Sequence, residues 1–272
     1  MRPIVGDCSM EFIKFENLDG TREGKTVFWH SSAHILGEAL ENLYGAQLTI
    51  GPPLSGGFYY DAYLGNEVYT EAAFYKSIES EVTKIVKSKQ AFKRLVVTKA
   101  EALELFANNP FKVEIIQSKV PDDARTTVYK CGSLIDLCQG PHVRSTSMIK
   151  AFSCAKHSAT NWLGDTNLPT LQRMYGVSFP DKKQLKAYKE NLELMKARDH
   201  RVIGKKQDLF FFHSELSPGS AFFLPHGTRI YNKLIAFIKE HYHRKNYMEI
   251  ITPNVYNLNL WHTSGHALHY KD

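Results

Sequence analysis

The sequence predicts an α+β fold made of one mixed domain up to about residue 180, a linker helix, and the first part of a second domain. Segments with helical periodicity alternate with short strand-like segments over the first 180 residues. A charged helical pattern follows Pro180, and the chain becomes rich in aromatic residues from Leu209. The predicted divisions are a short N-terminal segment, a first domain, a linker and a second domain, at residues 1–25, 26–180, 181–208 and 209–272.

Five segments carry the apolar spacing of amphipathic helices. The clearest is residues 70–89, where Phe74, Ile78, Val82 and Ile85 recur on one side. The others are residues 29–43, ended by Gly45, and residues 100–108, 182–198 and 227–242.

Strands are predicted where apolar and polar residues alternate or where β-branched residues cluster. On this basis Lys112 begins a strand that runs to Ile116. The predicted strands are residues 10–15, 94–98, 112–116, 126–131, 134–137, 148–155 and 248–251. Residues 17–25 form a turn-rich segment, and residues 51–57 form a loop rich in glycine and proline.

The composition indicates a folded protein with a basic surface. Hydrophobic residues make up 43% of the 272 residues, charged residues make up 23%, and the net charge is +6. Much of the positive excess lies between Asp181 and Lys206, which suits either a solvated helix face or a polyanionic partner. Four cysteines do not suggest a disulfide framework, and no apolar stretch approaches the roughly 20 residues that span a bilayer. We expect a cytoplasmic protein with no membrane partner.

Two pairs of side chains with metal-ligand or catalytic chemistry stand about a hundred residues apart. His30 and His34 are four residues apart on a predicted helix and therefore project from one face. Cys138 and His142 have the same spacing across a Gly-Pro turn. Such a set suits either a tetrahedral zinc site or a cleft that handles protons and a water molecule. Each pair alone is weak evidence, since the chain has twelve histidines.

Several longer motifs resemble those of threonyl-tRNA synthetases in order and spacing. The resemblance covers nearly the whole chain, and the residues of the shared motifs are more like those of the eukaryotic cytosolic branch than those of the bacterial one. The motifs are WHSSAH at 29–34, GFYYD at 57–61, DLCQGPH at 136–142, LQRMYG at 171–176, RDHR at 198–201 and TSGH at 263–266.

This resemblance implies a two-layer editing domain, of the kind that threonyl- and alanyl-tRNA synthetases share, followed by a linker helix and an incomplete class II antiparallel-sheet core. Residues 1–25 would then be the remnant of a further N-terminal domain. The family also implies a homodimer, and ATP, magnesium and zinc in a catalytic core of which only the first motif is present. We therefore expect a shortened chain that does not activate threonine by itself.

The implied activity is hydrolysis of seryl-tRNA(Thr) by water attack on the aminoacyl ester. A synthetic pocket sized for threonine excludes serine poorly, because one missing methylene is worth only about 1–3 kcal/mol of discrimination. A second, hydrolytic site supplies the remaining discrimination. The partner would be the acceptor end of tRNA(Thr), with no role for DNA.

Residue roles follow from the same resemblance. His30 or His34 orients or deprotonates water. Lys112 stabilises the oxyanion, and Asp136 holds the seryl amine and orders the site. Cys138 and His142 complete the wall of the cleft. The full predicted catalytic set is His30, His34, Lys112, Asp136, Cys138 and His142. The predicted tRNA-binding residues are Tyr60, Arg144 and Trp162, with Tyr60 next to the terminal adenosine.

Three expectations complete this reading. Editing needs no cofactor or metal, although a related alanyl-tRNA synthetase domain uses the same ligand types for a metal. Cys138 is not expected to act as a covalent nucleophile, because no third residue marks an activated pair. Gln139 and Asn161 stand where the family usually has arginine and tyrosine, which weakens the expected tRNA contacts.

The alternative function is a non-catalytic paralogue that binds tRNA or dimerises.

Overall fold

The computed structural model describes residues 6–9, 12–16, 23–65 and 71–269. The chain divides into two compact units, Met1–Asn191 and Leu192–Asp272. Both mix helices with antiparallel sheets, as the α+β prediction requires. Among the described residues, no helix combines the length and apolar character needed to cross a membrane.

In the part of the chain that the structure describes, the first unit contains two antiparallel sheets and four complete α-helices. Its elements are α1 (Glu23–Tyr44), β1 (Gln47–Leu48), β2 (Pro53–Leu54), β3 (Gly57–Tyr63), α2 (Glu71–Lys87), β4 (Lys93–Thr98), α3 (Lys99–Leu105), α4 (Pro110–Lys119), β5 (Arg125–Cys131), β6 (Leu134–Leu137), β7 (Ala151–Asn161) and β8 (Thr170–Phe179). The larger sheet has the strand order β1-β3-β8-β7, with β2 also paired to β3, and the smaller sheet has the order β4-β5-β6.

Helix α1 lies at the centre of this unit. Every residue from Ser31 to Leu40 is buried, since the helix contacts the larger sheet, β5 and β6 of the smaller sheet, and α2. Burial on all sides explains why the apolar spacing of α1 is weaker than that of α2. The result is a helix that presents polar side chains to the interior of the protein.

The predicted strand at Lys112–Ile116 is wrong, because these residues belong to helix α4. Asn109 caps this helix by accepting a hydrogen bond from the Lys112 backbone N–H at 3.1 Å, and Pro110 occupies the first helical position. Both residues are typical of helix starts. They outweigh the alternation of polar and apolar residues that suggested a strand.

Strand β8 was not predicted, because it is the central strand between β3 and β7. Its residues 176–178 are all buried, so the alternation that marks a half-exposed strand is lost. The predicted strand at 148–155 starts three residues later, as β7, after a short 3₁₀ turn at Thr146–Met148.

The beginning of the chain also differs from prediction. Met10 and Glu11 of the predicted first strand lie outside the described residues, and 12–15 are not in a strand. Of the predicted turn-rich segment, residues 17–22 lie outside the described part, and Glu23–Lys25 open helix α1.

The second unit contains a two-stranded sheet and several helices. Its helix α5 (Lys182–Ala197) begins within the first unit and ends in the second. The remaining elements are α6 (His200–Lys206), β9 (Phe210–His213), β10 (Ser217–Phe223), α7 (Pro225–Arg244), α8 (Leu258–Thr263) and α9 (His266–His269). The predicted strand at 248–251 is wrong: it has no paired neighbour in the described chain, and Ile250 and Ile251 are 79% and 94% exposed.

Candidate active site

The predicted catalytic side chains come together beside helix α1. His30 and His34 project from one face of this helix, with ring centroids 5.3 Å apart. Asp136 comes from β6 and Lys112 from α4, while Cys138 and His142 lie in the turn after β6. All six side chains therefore meet where α1 packs against the smaller sheet.

Asp136 is the buried centre of one half of the cluster, which we call the charged half. It is only 4% exposed, as is Lys112. The Lys112 ammonium donates to Asp136 Oδ1 at 2.5 Å, and the Tyr60 hydroxyl donates to Oδ2 at 2.5 Å. His34 Nδ1 lies 3.3 Å from Oδ2, without hydrogen-bond geometry. Two donors thus satisfy a carboxylate that is almost fully buried.

These contacts favour the ionised carboxylate. Burial by itself raises the pKa of Asp136, but the Lys112 ammonium, His34 and the hydrogen bonds from Lys112 and Tyr60 outweigh it and lower the pKa below its usual range. Burial and the adjacent Asp136 raise the pKa of the Tyr60 hydroxyl well above its usual range. Asp136 is therefore a fixed negative charge beside a fixed positive one.

Cys138 is the centre of the other half, which we call the neutral half. Its Sγ lies 3.3 Å from His30 Nε2 and 3.2 Å from His142 Nε2, and it accepts the Gly140 backbone N–H at 3.2 Å. Cys138, His30 and His142 are partly exposed, whereas His34 is buried. This half of the cluster is the one that water can reach.

Burial keeps the groups of the neutral half uncharged. It lowers the pKa of His142 to about 2 and that of His34 to about 4, and it lowers the pKa of His30 as well. It also raises the pKa of the Cys138 thiol to about 12. At neutral pH the three rings and the thiol thus carry no charge.

Aromatic side chains close one side of the neutral half. Phe92 stacks on His142 at 5.0 Å, and the Tyr129 ring meets the same imidazole edge-on at 4.5 Å. A Cβ at Gly140, where φ is +70°, would lie 2.2 Å from the Tyr129 hydroxyl. The Gly-Pro turn therefore needs glycine both for its backbone angle and for this close approach.

A polar cavity of about 290 Å³ borders the charged half. Its lining includes Lys112, Asp136, Glu41, Asn109 and Ser133. Burial and the charge of Asp136 raise the pKa of Glu41 to about 7. The cavity gives Lys112 and Asp136 an open side that protein atoms do not fill.

The three predicted tRNA contacts lie in different surroundings. Tyr60 is fully buried and bonded to Asp136. Trp162 is also buried, packs against Phe111, and donates to Glu114 at 2.7 Å. Arg144 is exposed, two residues beyond His142. In this structure only Arg144 has the side-chain exposure that a phosphate contact requires.

Three residues of the site were not predicted: Ser31, Phe92 and Tyr129. Ser31 follows His30 directly, but a serine inside a helix gave no signal of its own. Tyr129 lies opposite Asp136 in the β5–β6 ladder. Tyr129 reaches His142 through the register of β5 with β6, and Phe92 follows Ala91, which forms an isolated bridge with Ser145. Neither pairing can be read from residue spacing.

The four ligand-type side chains also fit a metal. One donor atom from each of His30, His34, Cys138 and His142 lies within 4.8 Å of the others. Three imidazoles and one thiol are a donor set that zinc accepts. These four side chains are therefore chemically suited to bind zinc.

A family model matches part of the first unit. Residues 126–175 match the family model described as the threonyl and alanyl tRNA synthetase second additional domain. This segment contains Asp136, Cys138 and His142.

Curated relatives match the chain over its full length. They include threonine--tRNA ligase, mitochondrial 1, of Arabidopsis thaliana (52% identical) and the probable threonine--tRNA ligase 1, cytoplasmic, of Dictyostelium discoideum (51%). Another is threonine--tRNA ligase 1, cytoplasmic, of Homo sapiens (51%). Each alignment covers 100% of this chain but only 38%, 37% and 36% of the respective relative. The chain thus spans somewhat more than a third of the length of these relatives, and over its whole length it is 51–52% identical to the corresponding part of these threonine--tRNA ligases.

Proposed function

We propose that this chain hydrolyses seryl-tRNA(Thr), the product of a threonyl-tRNA synthetase error. The observation that carries this proposal is the convergence of all six predicted catalytic side chains around one small polar cluster. A serine-selective hydrolytic site is needed because a synthetic pocket discriminates a missing methylene by only about 1–3 kcal/mol.

The two halves of the cluster suit two parts of the reaction. Lys112 faces the cavity and supplies the positive charge that stabilises the oxyanion formed when water attacks the ester carbonyl. Asp136 keeps that ammonium in place and offers a carboxylate to the seryl amine. Tyr60 holds Asp136 and is a positioning residue rather than a nucleotide contact.

The neutral half handles the proton of the attacking water. His30 is the partly exposed ring of the α1 pair, so water reaches it more readily than His34. Cys138 is held as a neutral thiol between two imidazoles, which does not suit covalent catalysis. Water therefore attacks the ester carbonyl directly, and no acyl-enzyme forms.

We further propose that this hydrolysis uses no metal, as the resemblance to the threonyl family implies. If zinc were bound, the His/Cys set would hold it and it would act as a Lewis acid on the ester. Stoichiometric zinc in the purified chain, lost on His30→Ala, would reject the metal-free proposal.

The wider assignments concern the longer family proteins. We propose that threonine attachment with ATP, magnesium and zinc, and the remainder of the class II core, belong to the portion of those proteins that this chain does not span. We also propose that the full-length proteins form homodimers. A cytoplasmic location is proposed from the relatives named cytoplasmic, although one relative is named mitochondrial.

Deacylation of charged tRNA tests the proposal. We expect the doubly substituted His30→Ala, His34→Ala chain to lose about 100-fold or more of its activity on seryl-tRNA(Thr), the range associated with losing acid–base groups. The control is His200→Ala, which removes a histidine whose side chain is 86% exposed. Equal loss in both variants, or no loss in the double variant, would reject the proposed site. A wild-type chain that binds tRNA without hydrolysing it would support the non-catalytic alternative.

A further inference from the structure

Ser31 is a fully buried hydroxyl on α1 to which neither the sequence motifs nor the proposed reaction gives a role. Three groups surround its Oγ: the Val27 backbone carbonyl at 2.7 Å, the Val143 backbone N–H at 2.9 Å and His142 Nδ1 at 3.2 Å. The three partners come from the helix and from the turn that carries His142. Ser31 therefore joins the two segments that supply the neutral half.

The three contacts have one consistent set of hydrogen positions. A hydroxyl has one hydrogen to donate and two lone pairs that accept. The Val27 carbonyl only accepts, so it takes the Ser31 hydrogen. The Val143 N–H only donates, so it occupies one lone pair. The remaining lone pair faces His142, and Nδ1 of that ring must therefore carry a hydrogen.

We propose that Ser31 is a positioning residue that fixes His142 in the Nδ1–H tautomer and points its unprotonated Nε2 at Cys138. This inference rests on the proposed hydrolysis only for its kinetic consequence. The tautomer itself is a property of the resting protein.

The fixed tautomer sets the direction of the next two hydrogen bonds. The bare Nε2 of His142 accepts the Cys138 thiol hydrogen at 3.2 Å. The sulfur lone pairs then accept the Gly140 N–H and a hydrogen from His30 Nε2. His30 is left with its lone pair on Nδ1. A buried serine thus determines which nitrogen of His30 accepts a proton from water.

Neutral rings are required for this chain of donors and acceptors. The surroundings of His142 suit a neutral ring, because Phe92 stacks on it, Tyr129 meets it edge-on, and its Nε2 faces the Cys138 sulfur rather than a carboxylate. Serine side chains that bond back to the carbonyl four residues earlier are ordinary in helices. Ser31 differs because it also contacts Val143 and His142, and these two contacts link it to the site.

Ser32 provides a matched control. It is also fully buried and bonds back in the same way, to the Phe28 carbonyl at 2.9 Å. Its second partner is the Ser178 hydroxyl of β8, at 2.7 Å, rather than a group of the site. Ser31→Ala and Ser32→Ala therefore remove equivalent hydrogen bonds within the helix, but only Ser31→Ala also removes a contact with His142.

The test is long-range ¹H–¹⁵N correlation of the histidine rings at pH 7.5 in the full 272-residue chain, with His142 assigned by its loss in His142→Asn. We expect wild type and Ser32→Ala to show a protonated Nδ1 and a bare Nε2 in His142. Ser31→Ala should show a tautomer mixture, and Ser31→Thr should restore the single tautomer. A protonated Nε2 in wild type, or an unchanged tautomer in Ser31→Ala, would overturn the proposal. The wild-type spectrum decides even if Ser31→Ala does not fold.

Kinetics separate this proposal from the proposed function. We expect Ser31→Ala to lower kcat for seryl-tRNA hydrolysis by about 10-fold or more, with little change in KM, as for other residues that orient a ligand or base. Ser31→Thr should recover most of that loss. A wild-type chain with the expected tautomer but no hydrolysis would reject the function and support the tautomer. Full activity in Ser31→Ala alongside a mixed tautomer would overturn the positioning role.

Discussion

The charged half and the neutral half of the site lie side by side but are built differently. Asp136, Lys112 and Tyr60 are buried and tied by two hydrogen bonds of 2.5 Å. In the neutral half, His34 is buried, whereas His30, Cys138 and His142 are partly exposed and joined by contacts of 3.2 to 3.3 Å around the Cys138 sulfur. The first arrangement suits a fixed electric field, and the second suits moving a proton. The predictions below test that division.

The largest effect should come from removing the buried charge. Asp136→Asn leaves the Lys112 ammonium buried without a counter-charge, which costs about 3–5 kcal/mol of unfolding free energy. Hydrolysis of seryl-tRNA should fall by at least about 100-fold, because the oxyanion-stabilising charge is no longer fixed. Urea unfolding and deacylation assays measure the two effects.

Two further variants separate charge from structure. Combining Asp136→Asn with Lys112→Met removes the orphaned charge, and we expect stability to recover while hydrolysis does not. Glu193→Gln breaks the exposed Lys196–Glu193 pair, in which both side chains are more than two-thirds exposed, and should cost less than about 1 kcal/mol. An inactive double variant that is still unstable would show that the charged half does more than hold an ion pair.

Acid should destabilise the protein through the buried histidines. The pKa of His34 falls from 6.5 in the unfolded chain to about 4 in the folded chain, so the unfolded state binds more protons between these values. The contribution of this ring to the unfolding free energy therefore has its full value above pH 6.5 and declines as the pH falls towards 4. The maximum slope is about 1.4 kcal/mol per pH unit for each such histidine.

Glu41 acts in the opposite sense. Its folded pKa is raised to about 7, so the folded state binds more protons between about 4.5 and 7 and gains stability as the pH falls. We expect Glu41→Gln to remove this compensation and to make the acid destabilisation steeper. Chemical unfolding at several pH values measures both slopes. A Glu41→Gln chain with an unchanged slope would show that Glu41 is solvated in the folded protein.

A smaller effect is expected at the centre of the neutral half. Cys138→Ser keeps a hydrogen-bond donor and acceptor, so we expect less than about a 10-fold loss of hydrolysis if the thiol only relays hydrogen bonds. Cys138→Ala, which keeps neither, should be the more damaging change. Complete loss of hydrolysis in the serine variant, together with an acyl-enzyme trapped on Cys138 of the unsubstituted chain, would identify the thiol as a nucleophile.

The smallest effect concerns the exposed rim. Arg144 is the predicted tRNA contact with an exposed side chain, and Arg144→Ala should weaken tRNA binding only a few-fold. If the contact is to a phosphate, the slope of log affinity against log salt should fall by about one unit. Binding measured at several salt concentrations detects this change, and an unaltered slope would remove Arg144 from the interface.

The sequence predicted the composition of the site better than its construction. His30 and His34, like Cys138 and His142, are only four residues apart, so each pair could be recognised from the sequence. The strand predicted from Lys112 was wrong, because the alternation of polar and apolar residues was given more weight than the Asn-Pro helix start. Tyr60 was expected next to the terminal adenosine, whereas in the structure its ring is buried and its hydroxyl donates to Asp136. Ser31, Phe92 and Tyr129 depend on long-range packing that no spacing encodes.

The most direct test of the account is the rate at which the unmodified chain hydrolyses tRNA(Thr) charged with serine compared with the same tRNA charged with threonine. Because the site is proposed to act on the misacylated product, we expect seryl-tRNA to be hydrolysed at least about 100-fold faster, the order of discrimination that a second sieve must supply. Equal rates on the two substrates, or no hydrolysis of either above the rate in buffer, would contradict the account.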